Sequence, residues 1–315
     1  MEYKQLGNTD MNVSVVGLGC GGYSKLGLGV GKSENNAVEV VQTALGLGVN
    51  FFDTAKVYGT EKVLGKGLAH AKREDIVVST KFSPFNWKKE ALEPKGSFTV
   101  SLDESLKNLK TDYVDIYNFH AVRPQDYHSV VDRFMPEVEK ALESGKIRYL
   151  GITESFIEDP AHKMLEMALE SNAFKVMMIG YNMLNFTARH NILPITLEKG
   201  IGTLNMFAVR NAFSNKKRLV EIVNNLIASG KIDSSLVDCI DPFGFVVNSG
   251  EINSITEVAY RFCRHTKGMD VIMTGTSSPE HLKKNIDSIL SDSLELNVLD
   301  KIYHIFKEVD CTSGQ

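Results

Sequence analysis

The sequence predicts an α/β fold, a (β/α)8 barrel of the TIM class, and three observations carry that prediction. Short apolar runs alternate with longer amphipathic segments from about Val13 to Ile289, the signature of βα units. There are eight such runs, each followed by a helical pattern, which is the count of the closed barrel, whereas a doubly wound sheet needs fewer strands. Several runs are apolar on both faces, as strands of a helix-covered parallel sheet must be. Such a barrel needs about 250 residues and often carries insertions, so the 315 residues read as one domain, 1–315.

The elements follow in order. Glu2–Leu6 and Met11–Val13 flank the turn-rich Gly7-Asn8-Thr9-Asp10 and predict a β-hairpin closing the bottom of the barrel. The strands are read at Ser14–Leu18, Val49–Phe52, Ile76–Thr80, Val114–Phe119, Ile147–Ile152, Val176–Ile179, Gly202–Phe207 and Val271–Thr274. The helices are read at Asn36–Leu47, Glu61–Ala71, Ser97–Leu109, Val131–Glu143, Pro160–Glu170, Ala188–Lys199, Ser254–His265 and Pro279–Ile289. In Thr99–Lys110, for example, Val100, Leu102, Leu106 and Leu109 recur near helical spacing between charged residues. The stretch Asn211–Gly250 after strand 7 is too long for an ordinary connection; Arg218–Ala228 within it reads as an extra helix. Long βα loops of this architecture lie on the active-site face. Leu294–Val309 reads as a terminal helix.

Composition narrows the function. Hydrophobic residues make up 43% and charged residues 23%, the balance of a chain with a sizeable core. The net charge of −4, from 35 basic and 39 acidic residues, leaves no footprint for nucleic acid or an anionic membrane and favours a small-molecule partner. Cys20, Cys239, Cys263 and Cys311 are far apart, with no CxxC pair. Neither a structural zinc site nor a disulfide framework is indicated. With no export signal or apolar run of about 18 residues, a cytoplasmic location is expected.

Two glycine patterns are decoys. Gly17-Leu18-Gly19-Cys20-Gly21-Gly22 spells GxGxxG, but a dinucleotide fingerprint must open a helix at once, and Tyr23–Lys32 is another glycine-rich loop. Gly27-Leu28-Gly29-Val30-Gly31-Lys32-Ser33 resembles a phosphate loop one residue short, with Leu26 where glycine is required.

Four polar residues stand where buried strands end. Asp53 follows Val49–Phe52, Lys81 follows Ile76–Thr80, His120 follows Val114–Phe119, and Tyr58 lies five residues beyond Asp53. The C-terminal ends of strands 2, 3 and 4 are adjacent in a barrel, so these side chains can converge on one cavity. Their types suit carbonyl reduction. A tyrosine phenol has a pKa near 10; a lysine ammonium beside it favours the phenolate, and a carboxylate keeps that lysine charged and placed. A histidine can hydrogen-bond the substrate oxygen. Taken singly, each residue would more often be a cap, an ion pair or packing.

Phe51-Phe52-Asp53-Thr54-Ala55-Lys56-Val57-Tyr58-Gly59 with Glu61 and Leu64-Gly65, then Ser79-Thr80-Lys81, then Asp112 to His120, resemble the signatures of the aldo-keto reductase superfamily. The resemblance runs from the hairpin to the eighth helix. It implies Tyr58 as general acid/base, Lys81 and Asp53 as its tuners and His120 as the substrate-orienting group. Thr274-Gly275-Thr276-Ser277-Ser278-Pro279-Glu280-His281 and Asn285 resemble the family's cofactor clamp. This implies NADP(H) or NAD(H), no metal, and a small carbonyl or sugar substrate. Leu6-Gly7-Asn8-Thr9 and Ser101 to Leu106 look most like sugar or aldose dehydrogenase members.

The sequence also departs from the family pattern. Where many members grip the 2′-phosphate of NADP with a lysine and an arginine, the corresponding residues are Gly275 and His281, so relaxed selectivity between NADP and NAD is expected. Around the nicotinamide carboxamide the family's Ser-Asn and Gln become Thr153, Glu154 and Met178; the last cannot replace an amide. Phe207 is the candidate ring to stack on the nicotinamide. Tyr23, Phe82, Trp87, Phe213 and Phe243 are read near the mouth as an aromatic wall. The altered carboxamide contacts leave a cofactor-binding regulatory subunit as the rival reading. A metal-dependent hydrolase is disfavoured because strand 1 ends without a His-x-His pair.

Overall fold

Eight parallel strands close on one another in chain order in the computed structural model, which describes residues 1–247, 252 and 254–315. They are β1 (Val16–Gly19), β2 (Phe51–Asp53), β3 (Val77–Phe82), β4 (Val114–Val122), β5 (Ile147–Glu154), β6 (Val176–Gly180), β7 (Gly202–Met206) and β8 (Val271–Thr274), with β8 pairing back on β1. Helices separate successive strands, so the expected barrel is the observed one.

The two ends of the barrel differ because their side chains differ. At the N-terminal end Phe51, Val77, Ile116, Val176, Leu204 and Val271 form an apolar plug. The hairpin Tyr3–Gln5 with Asn12–Ser14 caps it, placing Leu6, Met11 and Val13 in the same cluster. That end is sealed, and chemistry is left to the other, where the polar strand ends open on a cavity.

Several boundaries differ from the sequence reading. Lys81, His120, Thr153 and Glu154 belong to strands β3, β4 and β5 rather than following them, and β7 ends at Met206, one residue before Phe207. Ser14 belongs to the hairpin. The segment read as Pro160–Glu170 is helical only over Lys163–Leu169. The Asp159 carboxylate accepts the N–H groups of Lys163 and Met164, and His162 has a left-handed φ of 62°. Ala188–Lys199 is two pieces, Ala188–Asn191 and Leu193–Lys199, because Pro194 donates no N–H and restricts its predecessor. The helix read from Val131 begins at Tyr127; Tyr127 and Val130 extend the buried stripe of Phe134, Val138 and Ala141 by one turn.

The first α-helix opens only at Glu34, with the Ser33 hydroxyl accepting the Asn36 N–H, so the GxGxxG pattern does not open a helix as a dinucleotide loop must; the second pattern does lead into this helix and departs from a phosphate loop at Leu26. In the long connection after β7 the extra helix spans Lys216–Ala228; residues 248–250 of that connection lie outside the described residues. The terminal helix spans Leu296–Phe306.

Candidate active site

The loop after β2 presents the tyrosine. A single 3₁₀ turn, Lys56–Tyr58, is closed by the Tyr58 N–H on the Ala55 carbonyl at 3.0 Å. The hydroxyls of Thr54 and Thr60 join across its base at 2.9 Å. Glu61, buried at the start of the next helix, accepts from Thr80 Oγ1 at 2.8 Å and Asn108 Nδ2 at 2.9 Å. The residues surrounding Tyr58 in the sequence are thus the ones that tie its loop to strand β3 and the helix Ser97–Leu109.

All four expected catalytic residues come together. Lys81 is 1% exposed and donates from Nζ to Asp53 Oδ2 at 2.5 Å and to the Thr54 carbonyl at 2.7 Å. Ser79 Oγ donates to the other Asp53 oxygen at 2.8 Å. Lys81 Nζ lies 5.1 Å from the centre of the Tyr58 ring, and Tyr58 Oη is 3.3 Å from His120 Nε2. Ser83 Oγ stands 3.3 Å from His120 Nδ1, a partner not anticipated from the sequence.

The electrostatics refine one expectation. Burial pushes the Tyr58 phenol above its ordinary value, and the Lys81 charge, acting in the expected downward direction, only partly opposes this. Burial also works against the Lys81 ammonium, but the Asp53 carboxylate, helped by Tyr58, holds it above the ordinary lysine range. Burial, with Lys81 nearby, pushes the His120 imidazole down to about 3. At neutral pH the geometry therefore offers a protonated phenol beside a neutral imidazole.

Asp53, Tyr58 and His120 line a cavity of about 860 Å³, within the range of small-molecule sites. Gly21 lies against the tyrosine so closely that a Cβ there would stand 2.5 Å from Tyr58 Cε2. Of the expected cofactor residues, Thr153, Glu154, Phe207 and Gly275 line the same cavity, as does Met178. Thr153 Oγ1 accepts the Ala121 N–H at 2.7 Å. The Glu154 side chain is fully enclosed, its oxygens on His162 Nδ1 at 2.9 and 3.0 Å and on the Gly180 N–H at 2.7 Å. Phe207 has a φ of 70° and carries the Arg210 guanidinium 3.6 Å above its ring.

Thr276, Ser277, His281 and Asn285 form the adjoining segment rather than the cavity lining. The Ser278 hydroxyl caps the helix Pro279–Leu290 by accepting the His281 N–H, and Thr276 Oγ1 accepts the Ser278 N–H at 3.2 Å. Asn285 Nδ2 donates to Thr274 Oγ1 at 3.0 Å. The Ser277 carbonyl accepts from Lys32 Nζ at 2.8 Å and Asn36 Nδ2 at 3.0 Å. The end of the phosphate-loop lookalike therefore braces the segment expected to clamp the cofactor.

The expected aromatic wall is corrected. Of the five rings only Tyr23 lines the cavity. Phe82 is buried against Phe98 and Phe134, and Phe213 against Phe243, which also stacks on Phe306. Trp87 packs on Phe85 and Arg123. Outward strand positions and a folded loop bury Phe82, Phe213 and Phe243, which sequence order alone placed at the mouth, while Trp87 stays half-exposed outside the cavity. Phe156 and Arg210 line the cavity instead. Arg210 did have a signal, because no acidic residue occurs from Lys199 to Val220.

Among the described residues no cluster of three or more His, Cys, Asp and Glu side chains is placed to hold a metal ion, and no helix is long and apolar enough to cross a membrane.

Comparisons with known proteins agree with the fold and the family resemblance. The model of the "Aldo/keto reductase family" matches residues 17–304. L-galactose dehydrogenase of Arabidopsis thaliana is 28% identical over all of this chain and 98% of its own length. An uncharacterized oxidoreductase of Bacillus subtilis, YqkF, is 27% identical over 91% of each. In structure, the holo form of the aldo-keto reductase AKR11C1 from Bacillus halodurans superposes with a TM-score of 0.73 at 22% identity, covering 99% of this chain and 97% of that one.

Proposed function

The chain belongs to the aldo/keto reductase family, whose members are NAD(P)-dependent oxidoreductases, and from that premise we propose that it moves a hydride between a nicotinamide dinucleotide and an aldehyde, ketone or sugar. The observation that carries this reading is the assembly of Tyr58, His120 and the Lys81–Asp53 pair at one cavity. The cavity fits such a cofactor: it is large enough, glycines at 19, 21 and 22 admit close approach, and the Arg210 side chain in its wall has no anionic partner among the described residues.

A bound nicotinamide would supply or accept the hydride. In the reducing direction Tyr58 Oη gives its proton to the carbonyl oxygen. The Lys81 charge favours the phenolate left behind, and Asp53 holds that lysine in place. His120 Nε2, neutral and 3.3 Å from Tyr58 Oη, orients the same oxygen. In the oxidising direction Tyr58 takes the proton from the alcohol. Thr153, Phe207 and the segment Gly275, Thr276, Ser277, His281 and Asn285 would hold the dinucleotide, with Glu154 and His162 supporting the wall behind it. Selectivity between NADP(H) and NAD(H) is relaxed, since Gly275 and His281 replace permanent cations.

The test is a panel of aldehydes, ketones and sugars, L-galactose included, assayed with both cofactors in both directions, beside Tyr58→Phe. Turnover of at least one carbonyl or alcohol is expected, abolished in Tyr58→Phe while dinucleotide binding persists. An active Tyr58→Phe variant refutes the assigned role, and a hundredfold preference for NADPH refutes relaxed selectivity.

A further inference from the structure

Strand β4 breaks its alternation where it delivers His120. Phe119 and Val122 belong to the core beneath the helices, yet His120 and Ala121 between them both line the cavity, whereas successive side chains of a regular strand point to opposite faces. The register against β5 accounts for this: Phe119 pairs with Ile152 and Val122 with Glu154, so His120 and Ala121 together oppose the single residue Thr153. A bulge of this kind re-aims a side chain. It also puts Ala121 in the left-handed region, with a φ of 51°, where a Cβ is crowded and glycine is the usual occupant. The neighbouring strand holds it there, because the Ala121 N–H donates to Thr153 Oγ1 at 2.7 Å and Thr153 is itself buried.

We propose that Thr153 is a positioning residue for the reaction, fixing through the Ala121 N–H the bulge that aims His120 at the carbonyl oxygen. The imidazole meets Tyr58 Oη at Nε2 and Ser83 Oγ at Nδ1, both at 3.3 Å. Both contacts are long for hydrogen bonds, so the direction of the ring follows its backbone. Without the Thr153 hydroxyl the Ala121 N–H loses its acceptor, and the strained residue relaxes towards the extended form, carrying His120 with it. This role is separate from the cofactor contact expected of Thr153. Its consequence for turnover rests on the reductase reading, but the hold on His120 does not.

Thr153→Val keeps the shape of the side chain and removes the hydroxyl, whereas Thr153→Ser keeps the hydroxyl. Both are compared with the wild type after circular dichroism has shown that each folds, with Thr153→Ala taking the place of a valine variant that does not. Nuclear magnetic resonance of 15N-histidine-labelled protein reads the His120 ring, assigned by its loss in His120→Asn. Steady-state kinetics and fluorescence titration with NADH and NADPH separate carbonyl turnover from dinucleotide binding. Thr153→Val is expected to move the His120 resonances and to lower kcat/KM for the carbonyl about ten- to a hundredfold, the range of a misplacement of about 1 Å. Thr153→Ser should leave both close to the wild type. Wild-type efficiency in Thr153→Val overturns the proposal. So does lost turnover with the His120 resonances unmoved, or lost turnover fully accounted for by weaker dinucleotide binding, since Thr153 then acts on the cofactor alone. Should the wild type turn over no carbonyl, the reductase reading falls and the resonances still decide: moved in Thr153→Val and kept in Thr153→Ser, they support the hold on His120; unmoved in Thr153→Val, they overturn it.

Discussion

Lys81 Nζ stands 2.5 Å from Asp53 Oδ2, with both residues buried, so neither charge can be removed alone without stranding the other. Asp53→Asn is expected to destabilise the protein by about 3–5 kcal/mol, the cost of a buried charge left unpaired, and to lower kcat by about a hundredfold or more as Tyr58 loses its tuning. Adding Lys81→Met should restore much of the stability, since replacing a buried pair with apolar groups is often neutral, but none of the activity. Urea denaturation and turnover measured on both variants separate the two roles.

Gly21 is expected to be required for catalysis rather than for folding. A Cβ built there would lie 2.5 Å from Tyr58 Cε2 and 2.8 Å from its Cζ, so Gly21→Ala must displace the ring. A misplacement of about 1 Å costs about a hundredfold in rate, whereas the loop exposure of this site predicts a stability change below about 1 kcal/mol. A variant with wild-type kcat and unchanged melting temperature would contradict the close approach.

The pH dependence follows from two shifts of opposite sign. Burial raises the Tyr58 phenol, so its proton-donating form is present throughout the neutral range and is lost only as pH rises past a value above about 10. His120, pushed down to about 3, stays neutral above that pH. Reduction should therefore have a flat kcat/KM from about pH 5 to 9, while oxidation, which needs Tyr58 to accept a proton, should accelerate with rising pH. A limb near pH 6.5 in the reduction profile would show that His120 titrates as an ordinary histidine.

Cofactor preference is expected to respond at one of the two altered clamp positions only. His281 is exposed on the first turn of its helix, so His281→Arg can reach a 2′-phosphate and should shift the NADPH to NADH affinity ratio by about tenfold. At Gly275 a Cβ would meet the Gly19 carbonyl oxygen at 2.9 Å. Gly275→Lys should accordingly lower the melting temperature without a matching gain for NADPH. Titration of both cofactors against both variants is the check.

The barrel was legible because each of its units carries a local signal: an apolar run such as Val114–Phe119, then an amphipathic helix with caps or turn residues at its ends. Asp53, Tyr58, Lys81 and His120 were legible for the related reason that strand order in a barrel is chain order, so residues at the ends of consecutive strands must meet. What depends on the packing of distant segments was not. Phe82 and Phe213 read as mouth residues but are buried, since which face of a strand or loop turns inward is set by neighbours far away in sequence. Glu154 reads as a residue at the nicotinamide carboxamide, but its carboxylate is engaged by His162, eight residues on and beyond the end of its strand. The direction of the Tyr58 shift was a contest between Lys81 and desolvation, and only burial, a tertiary quantity, decides it. The sequence by itself determined the fold and which polar groups meet at one end of the barrel; the tertiary structure decided which charges are paired and which, at Arg210, has no acid partner among the described residues.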